Sequence, residues 1–258
     1  MERSCVVTGA ASGIGRAIAS GFIDAGYGTV AVDIDEQGLA EVISQLSGRG
    51  RVLACAGDVA DPGTHTRAAE AAVRLAPLTA WLNCAGYNVR GSVAELSTED
   101  LHRGVAVNLL SYFYGTGEAV RRFLAQPAAH QGAIINISSI QALQGFPGFA
   151  AYSMCKGGIN ALTVQVAAEY AGRGIRCNAI APGVIDSPMN EKLLREAEDP
   201  AELQRSWAEL LPVHRWGRPE DIAAMALFLS DPNLSGFITG QIIQVDGGAT
   251  VLARGQPV

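Results

Sequence analysis

The sequence predicts an α/β protein with a doubly wound, seven-stranded parallel sheet flanked by helices on both faces. Short apolar runs alternate with helical patterns along the chain, which is typical of consecutive βα units. The runs are apolar nearly throughout instead of alternating with polar residues, as expected for strands that helices cover on both faces. At 258 residues, without an internal repeat or linker, the chain fits one large domain of the Rossmann type spanning residues 1–258.

The individual elements follow from the apolar runs and from residues that favour helix starts. Strands are predicted at residues 4–8, 29–33, 52–56, 80–83, 133–138, 175–180 and 241–245. Helices are predicted at 16–25 and after residues 35, 61 and 97, with Asp61 as an N-cap and Pro62 in the first helical position. Residues 186–216 are helical in pattern, rich in charge and bounded by prolines, so we predict a mobile substrate flap there.

Composition limits the classes of partner. A net charge of −6 and a pI near 5.2 give no electrostatic reason to expect nucleic acid or an anionic membrane as a partner. The five cysteines are scattered, which is typical of reduced residues in a cytosolic protein, and no Cys/His grouping has the spacing of a metal site. Neither a leader nor a long apolar run is evident. We therefore expect a cytoplasmic protein without a bound metal.

A glycine-rich turn joins the first predicted strand to the first predicted helix. Glycines at such a turn let the backbone approach a pyrophosphate, and the free N–H groups of the helix start supply hydrogen-bond donors. The spacing, G-x-x-x-G-x-G, departs from the G-x-G-x-x-G fingerprint, and a glycine turn outside this context is weak evidence for a ligand. The predicted cofactor contacts in this turn are Gly9, Ser12, Gly13, Ile14 and Gly15.

Acidic and small residues at the ends of the next strands complete the predicted dinucleotide site. Asp33 lies 18 residues after Gly15, where a carboxylate can hydrogen-bond the adenosine ribose and repel a 2′-phosphate. Because no cation follows Asp33, NAD is the predicted cofactor, although an aspartate here can also be a simple loop cap. Further cofactor contacts are predicted at Asp58, Val59, Asn83, Ala85 and Gly86.

Tyr152 and Lys156 stand four residues apart at the head of a long apolar helical pattern, so they share one helical face. A phenol has a pKa of about 10 and is a poor base at neutral pH unless a cation stabilises its phenolate. Lys156, one turn away, is placed to be that cation. Such a pair alone is more often a surface tyrosine and lysine without a joint role, and the surrounding motifs favour the catalytic interpretation.

Together these motifs resemble the short-chain dehydrogenase/reductase family in its single-domain, NAD(P)-binding form. The matching residues are the glycine turn, Asp58, Asn83, Ala85, Gly86, Asn108, Ser139, Tyr152, Lys156, Pro182, Gly183 and residues 245–248. The resemblance implies a catalytic set of Asn108, Ser139, Tyr152 and Lys156. In that set Tyr152 exchanges the alcohol proton and Ser139 hydrogen-bonds the carbonyl oxygen. Lys156 holds the nicotinamide ribose and lowers the pKa of Tyr152.

The same resemblance implies several further roles. Asn108 would steady a water in a proton relay from Lys156 to solvent. Ser138 is the rival for the serine role, but Ser139, thirteen residues before Tyr152, fits the family spacing better. The segment that binds the nicotinamide carboxamide would begin at Pro182 and Gly183 and include Ile185 and Ser187, the last standing where the family usually has threonine.

The resemblance predicts hydride transfer between NAD(H) and a secondary alcohol or ketone such as a polyol, sugar acid or hydroxy acid. A β-ketoacyl carrier-protein reductase, whose usual preference for NADPH Asp33 opposes, and a nucleotide-sensing protein without turnover are the alternatives. The predicted substrate contacts are Ser139, Gln141 and Tyr152, with Gln141 equally well interpreted as a solvated loop amide. Further pocket candidates are Asn88, Arg90, Phe146, Val184, Met189 and Trp207. For Arg90 a surface position is the favoured interpretation.

The helical pattern that carries Tyr152 and Lys156 is apolar on more than one side. One side can pack on the sheet, and the other needs a second partner. We therefore predict self-association through this helix, and the family resemblance suggests a homotetramer.

Overall fold

A computed structural model of the protein describes residues 2–126, 132–195, 197–209 and 211–251, without the side chains of residues 192 and 193. Within these ranges the chain forms seven strands, β1 (Arg3–Thr8), β2 (Tyr27–Asp33), β3 (Val52–Ala56), β4 (Leu78–Asn83), β5 (Gly132–Ile137), β6 (Ile175–Pro182) and β7 (Ile242–Val245). They form one sheet in the order β3-β2-β1-β4-β5-β6-β7, and every neighbouring pair is parallel. The predicted fold class is confirmed.

Helices connect the strands and begin where the sequence indicates. They are α1 (Gly13–Asp24), α2 (Glu36–Leu46), α3 (Pro62–Leu75), α4 (Thr98–Val105), α5 (Ser111–Ala125), α6 (Ala150–Tyr170), α7 (Pro188–Arg195), α8 (Pro200–Glu209), α9 (Pro219–Ser230) and α10 (Pro232–Ser235). The Asp61 side chain caps α3 by accepting from the Gly63 N–H, and Ser97 caps α4 by accepting from the Asp100 N–H. A π-helical turn, Ala106–Leu110, joins α4 to α5.

Successive residues of the central strands are buried on opposite faces of the sheet. Cys5 and Val7 of β1 belong to one core with Phe22 of α1, whereas Val6 belongs to a second core with Val120 of α5. The first core also takes in α9 and the second takes in α3 and α6. Helices thus cover both faces, which is why the central strands have continuous apolar sequences.

The uniform apolar pattern overstates the burial of β3. This strand pairs with β2 alone among the strands of the described ranges, and its residues are exposed or only half-buried. Leu53, for example, is 37% exposed. Helices α2 and α3 contact β3 from its two faces, as expected, but at this edge of the sheet they cover the strand incompletely.

Two features of the fold position the site. The strand order reverses between β1 and β4, so the connections that follow these strands diverge and leave a crevice at their carboxyl ends. The segment predicted as a flap contains α7 and α8, and α8 has no buried residue among those described. None of the helices in the described ranges has the length and apolarity required to cross a membrane.

Candidate active site

A cleft of about 660 Å³ opens at the carboxyl ends of the strands. Its volume lies within the range of about 300–1,000 Å³ that is usual for ligand pockets. The glycine turn and Asp33 line one end, Ser139 and Tyr152 line the other, and part of the segment 182–190 lines it as well. The predicted cofactor residues that line the cleft are Gly9, Ser12, Gly13, Ile14, Gly15, Asp33, Asp58, Val59, Ala85, Gly86, Tyr152, Lys156, Pro182, Gly183, Ile185 and Ser187.

The glycine turn brings the ends of β1 and β4 into direct backbone contact. Gly9 has a φ of +70°, and a Cβ at this position would lie 2.8 Å from the Ala85 Cα. The Thr8 hydroxyl accepts hydrogen bonds from the backbone N–H groups of Cys84 and Ala85, at 3.0 and 3.2 Å. Any side chain at Gly9 would force these two turns apart.

The start of α1 is suited to an anionic ligand. Its N-cap, Ser12, makes no side-chain hydrogen bond to the helix, so the first N–H groups of α1 lack a side-chain partner. Such free N–H groups, together with the helix dipole, favour a phosphate group. A Cβ on Gly13 would meet Pro188 and Ser187 at 3.4–3.5 Å, so the 182–190 segment approaches this turn closely. The residues present therefore fit the pyrophosphate of a dinucleotide.

Two half-buried carboxylates lie beside the glycine turn. Asp33 accepts hydrogen bonds from the backbone N–H groups of Ala11 and Asp35, at 3.0 and 3.1 Å. Asp58 accepts from the Ala60 N–H at 2.9 Å and from Arg103 Nη1 at 2.8 Å. Burial opposes ionisation of Asp58, but these hydrogen bonds outweigh it and lower the pKa of the carboxyl group. Each carboxylate retains acceptor capacity for a ribose hydroxyl or an adenine amine.

Arg103 is a site residue that the sequence analysis did not identify. It projects from α4, lines the cleft and pairs with Asp58 across 45 residues of sequence. A lone arginine in a helix gives no local signal of such a pairing.

Asn83 does not line the cleft, contrary to the prediction. Its side chain is buried behind the sheet, where it accepts from Trp81 Nε1 at 2.9 Å and donates to Thr116 and Asn136. The side chains of successive strand residues point to opposite faces, so a residue at the end of β4 can belong to the core while the residues after it reach the ligand. The position is taken instead by Cys84, which the sequence analysis did not select.

Ser139 and Tyr152 are brought together at the opposite end of the cleft. Both line the cleft, and the Ser139 hydroxyl is near enough to the Tyr152 hydroxyl to favour its phenolate. Ser139 also accepts from the Gln141 N–H at 3.1 Å. Ser138, the rival serine, also lines the cleft but hydrogen-bonds Asn160 Oδ1 at 2.7 Å and the Lys156 carbonyl at 3.3 Å. Its hydroxyl therefore fixes β5 against α6, while Ser139 is the serine whose hydroxyl meets the tyrosine.

Lys156 is a buried cation held close to Tyr152. Only 2% of the residue is exposed, and its Nζ lies 5.5 Å from the centre of the Tyr152 ring. The ammonium donates to the Ile137 carbonyl at 2.7 Å and to the Tyr112 hydroxyl at 3.3 Å. Burial lowers the pKa of Lys156 to about 8, while nearby Cys84 and Cys155 oppose this shift.

The pKa of Tyr152 differs in direction from the sequence-based expectation. We expected Lys156 to lower it, whereas in this structure burial raises it above the ordinary value for a phenol. The nearby Ser139 hydroxyl acts in the opposite sense but is the weaker effect. The free energy needed to remove a phenolate from water exceeds the stabilisation that one nearby hydroxyl gives it. The Lys156 Nζ, in addition, is hydrogen-bonded to Ile137 and Tyr112.

Asn108 lies in the π-helical turn and does not line the cleft. It is wholly buried, and its amide both accepts from the Tyr87 N–H at 3.0 Å and donates to the Tyr87 carbonyl at 3.1 Å. A Cβ on Gly86 would lie 2.7 Å from Asn108 Oδ1 and 3.9 Å from Lys156 Nζ, so this amide is close to the Lys156 ammonium. Its side chain is thus occupied in holding the loop after β4.

The predicted substrate residues divide into two groups. Asn88, Arg90, Gln141 and Met189 line the cleft, whereas Phe146, Val184 and Trp207 do not. Trp207 instead stacks on Trp216 at 5.6 Å between ring centres, which fastens α8 to the loop before α9. Gln141 Oε1 is buried without a hydrogen-bond partner among the described residues, so this oxygen can accept a hydrogen bond from a ligand bound next to Ser139.

The chain is similar to several known proteins. Residues 9–250 match the family model described as Enoyl-(Acyl carrier protein) reductase. The chain is 34% identical over 249 residues to the 3-oxoacyl-[acyl-carrier-protein] reductase FabG of Thermotoga maritima, covering 96% of this chain and 97% of that protein. It is 37% identical over 250 residues to 2-(S)-hydroxypropyl-CoM dehydrogenase 3 of Xanthobacter autotrophicus, covering 95% and 96%. The crystal structure of levodione reductase shares the fold with a TM-score of 0.91 and 26% identity, covering 97% and 98%.

The fold and these similarities support an oxidoreductase. The chain belongs to the short-chain dehydrogenase/reductase family, whose dehydrogenases use nicotinamide cofactors.

Proposed function

We propose that the protein is an NAD-dependent, single-domain dehydrogenase that interconverts a small polar secondary alcohol and its ketone. The observation that carries the proposal is the placement of Tyr152, Ser139 and Lys156 at one end of a cleft. The other end of that cleft has the glycine turn and carboxylates of a dinucleotide site. A bound nicotinamide supplies or accepts the hydride, and the protein supplies position, proton transfer and electrostatics.

Tyr152 and Ser139 act together on the substrate oxygen in this proposal. Both hydroxyls lie at the same end of the cleft, where each could donate to an oxygen that gains negative charge as a ketone is reduced. Tyr152 gives its proton to that oxygen, and in the reverse direction takes it back as a base. Ser139 stays protonated and holds the oxygen in place.

Lys156 makes the proton transfer by Tyr152 easier. Burial alone holds the Tyr152 proton tightly, so the phenolate needs a nearby positive charge. The ammonium, 5.5 Å from the tyrosine ring, supplies it and would also hold the nicotinamide ribose. Asn108 acts next to it by fixing the loop after β4 through its two hydrogen bonds with Tyr87.

The choice of NAD rests on Asp33. Its half-buried carboxylate lies at the end of β2 and is oriented by two backbone N–H groups towards the cleft. A 2′-phosphate placed beside it would meet a like charge, whereas a free 2′-hydroxyl could donate to it. In the sequence the residues that follow Asp33 are Ile34, Asp35 and Glu36, none of which is cationic.

Gln141 supports a polar substrate. A buried amide oxygen without a partner is costly, and a hydroxyl on the substrate next to the reacting carbon would satisfy it. Polyols and sugar acids carry such a hydroxyl, whereas the carboxylate of a simple hydroxy acid can only accept a hydrogen bond. The relative named for 2-(S)-hydroxypropyl-CoM and the structure named for levodione reduction support a secondary alcohol and a ketone as the two forms.

The protein is also proposed to act as a cytoplasmic homotetramer. Large apolar side chains are exposed on α5, on α6 and at the end of the π-helical turn before α5, namely Phe113, Met154, Val164 and Leu110. Phe113 is 61% exposed and Met154 is 53% exposed, which is unusual for residues that a second subunit does not cover. Sedimentation at working concentration tests the proposal, and a monomer would contradict it.

A substrate panel tests the proposed reaction. Polyols, sugar acids, hydroxy acids, hydroxysteroids and a 3-hydroxyacyl thioester are offered with NAD⁺ or NADP⁺, and formation of reduced cofactor is followed by absorbance. We expect turnover of a small polar alcohol with NAD⁺. Gln141→Leu should lower kcat/KM for a vicinal diol by about tenfold or more but leave the matching mono-alcohol nearly unchanged, because only the diol loses a buried hydrogen bond.

A second candidate is a β-ketoacyl carrier-protein reductase, which the identity with FabG favours. Faster reduction of an acetoacetyl thioester by NADPH than of any simple ketone by NADH would establish this function instead. Because the matching family model is described as an enoyl reductase, reduction of an enoyl thioester tests that activity in the same way. Tight NADH binding without turnover of any compound would instead indicate a nucleotide-sensing protein.

A further inference from the structure

A second tyrosine contacts the catalytic lysine from a different helix. Tyr112, in the first turn of α5, is 1% exposed, and its hydroxyl accepts a hydrogen bond from Lys156 Nζ at 3.3 Å. The same hydroxyl donates to the Ile137 carbonyl at 3.0 Å. Lys156 donates to that carbonyl as well, at 2.7 Å. The lysine, the tyrosine and the end of β5 therefore form a closed triangle of hydrogen bonds.

The ammonium of Lys156 lies between two phenol rings. Its Nζ is 5.0 Å from the centre of the Tyr112 ring and 5.5 Å from the centre of the Tyr152 ring. Both contacts are short enough for attraction between a cation and a ring face. Tyr152 is used by the proposed reaction, but Tyr112 has no part in it. Burial raises the pKa of Tyr112 well above that of an ordinary phenol, so its hydroxyl stays neutral and keeps its proton for Ile137.

We propose that Tyr112 is a positioning residue for the reaction: its hydroxyl fixes the Lys156 ammonium beside Tyr152 and helps to keep it charged in a buried site. An isolated ammonium in the protein interior tends to lose its proton. Each fixed acceptor that it contacts opposes this loss. The Tyr112 hydroxyl is one such acceptor, and the bond to Ile137 prevents it from rotating away.

The other ionisable groups around Lys156 do not replace Tyr112. Tyr152 and Cys155 lie on α6 with the lysine, and Cys84 lies on the loop after β4. Burial raises the pKa of Cys84 to about 12 and also raises the pKa of Cys155, so both thiols are neutral where the lysine titrates. Their weak acceptor sulfurs give less support to an ammonium than a hydroxyl oxygen does.

The chain allows a direct measurement, because its sequence contains two lysines, Lys156 and Lys192. A protein labelled with ¹³C in lysine gives two side-chain signals, which Lys192→Arg assigns. Each signal is followed by NMR from about pH 5.5, below the midpoint expected for the variant, to about pH 11, beyond the pKa of an ordinary lysine. In Tyr112→Phe, which keeps the ring and loses the hydroxyl, the titration midpoint of Lys156 should fall by about one pH unit, a tenfold change in its acid dissociation constant.

Tyr114→Phe is the matched control. Tyr114 lies on the same helix, and its ring contacts His65 instead of the lysine. This variant makes the same chemical change and should leave the Lys156 midpoint where it is in the wild type. If Tyr112→Phe also leaves the midpoint unmoved while remaining folded, Tyr112 is a packing residue and the proposal is overturned.

The effect of Tyr112 on catalysis, unlike its effect on the Lys156 pKa, rests on the proposed function. A second measurement tests this effect. With an alcohol that the enzyme oxidises, the alkaline decline of kcat/KM should begin about one pH unit lower in Tyr112→Phe than in Tyr114→Phe. Failure of the proposed function would appear as no turnover in any protein, including the wild type. Failure of the present inference would appear as active variants with coincident pH profiles and coincident lysine midpoints.

Discussion

The two ends of the cleft place their ionisable side chains in opposite environments. We call the end beside the glycine turn the adenine end and the end beside Tyr152 the nicotinamide end, after the parts of the proposed dinucleotide. At the adenine end, Asp33 and Asp58 are half-buried and accept hydrogen bonds from backbone N–H groups and, for Asp58, from Arg103. At the nicotinamide end, Tyr152 and Lys156 are 7% and 2% exposed, respectively. Burial there raises the pKa of the tyrosine and lowers that of the lysine to about 8.

The difference follows from what each end has to do. A carboxylate that only binds a ribose or an amine can remain partly in water, where keeping its charge costs little. A tyrosine that exchanges a proton with a substrate has to be shielded from water and held near a positive charge, and burial beside Lys156 provides both. We therefore expect substitutions at the nicotinamide end to change turnover and substitutions at the adenine end to change binding.

The largest effect is expected for Tyr152→Phe. Removing the hydroxyl removes the proton donor, so turnover should fall about 10²–10⁴-fold, the usual contribution of a general acid or base. Binding of NADH, followed by its fluorescence, should remain near the wild-type value because the other predicted cofactor contacts in the cleft are unchanged. Tyr170→Phe, at the far end of α6, is the control and should be fully active. Near-normal turnover by Tyr152→Phe would refute the assignment.

A smaller effect is expected for Asp33→Ala, which acts at the adenine end. Loss of the carboxylate removes both the bond to the ribose and the repulsion of a 2′-phosphate, so the preference for NAD over NADP should narrow about tenfold to a hundredfold. The measurement is the ratio of kcat/KM for the two cofactors. Asp35→Ala removes a nearby carboxylate that caps α2 and should leave the ratio unchanged. Equal ratios in both variants would mean that the ribose is recognised elsewhere.

The elements of the sheet were predictable because their signals are local. The strand β3 begins and ends where its apolar run does, and Asp61 and Ser97 cap the helices that they were expected to begin. The glycine turn was predictable for the same reason, since its residues are adjacent in sequence and each contributes backbone geometry. Such features depend on a few neighbouring residues and need no knowledge of the tertiary fold.

The rest of the site depends on contacts between distant segments. Asn83 appeared to be a ligand residue because it ends a strand, but its side chain joins a buried network with Trp81 and Asn136. The roles of Tyr112 and Arg103 arise from partners 44 and 45 residues away along the chain. The pKa of Tyr152 was misjudged because spacing along a helix shows which groups are near but not how much water has been removed.

A still smaller effect is expected for Arg103→Gln. The pair between Arg103 and Asp58 is partly exposed, with 47% and 33% of the two side chains accessible, so it contributes about 0.2–1 kcal/mol. Binding of NADH should weaken by about two- to fivefold as Asp58 loses its orientation, while kcat remains unchanged. Arg67→Gln, which breaks a comparable pair with Asp61, should leave both quantities unchanged. A fall in kcat with normal NADH binding would place Arg103 in the reaction instead.

The smallest effect is expected for His65, a buried ionisable group beneath the adenine end that has no part in the reaction. Its Nε2 lies 2.9 Å from the Val59 carbonyl, while its Nδ1 is buried without a partner among the described residues. Burial is the main reason why the pKa of His65 is lowered, so the imidazole is neutral in the folded protein. Protonation at Nδ1 would place an unpaired donor and a positive charge in the core.

The sign of the pH dependence follows from this lowered pKa. In the unfolded chain this histidine takes up a proton below about pH 6.5, whereas in the folded protein it does so only at lower pH. The neutral imidazole therefore contributes its full stabilisation above about pH 6.5, and this stabilisation is lost as the pH falls towards the pKa of His65 in the folded protein. His65→Gln, whose amide can donate to Val59, should therefore lose less stability than the wild type between pH 7.5 and about 5.5, with a slope difference of at most about 1.4 kcal/mol per pH unit. Urea unfolding across this range measures the slopes, and His102→Gln, which removes an exposed histidine, should behave as the wild type does. Parallel slopes for the wild type and His65→Gln would contradict the lowered pKa of His65 and show that its burial leaves proton binding unaltered.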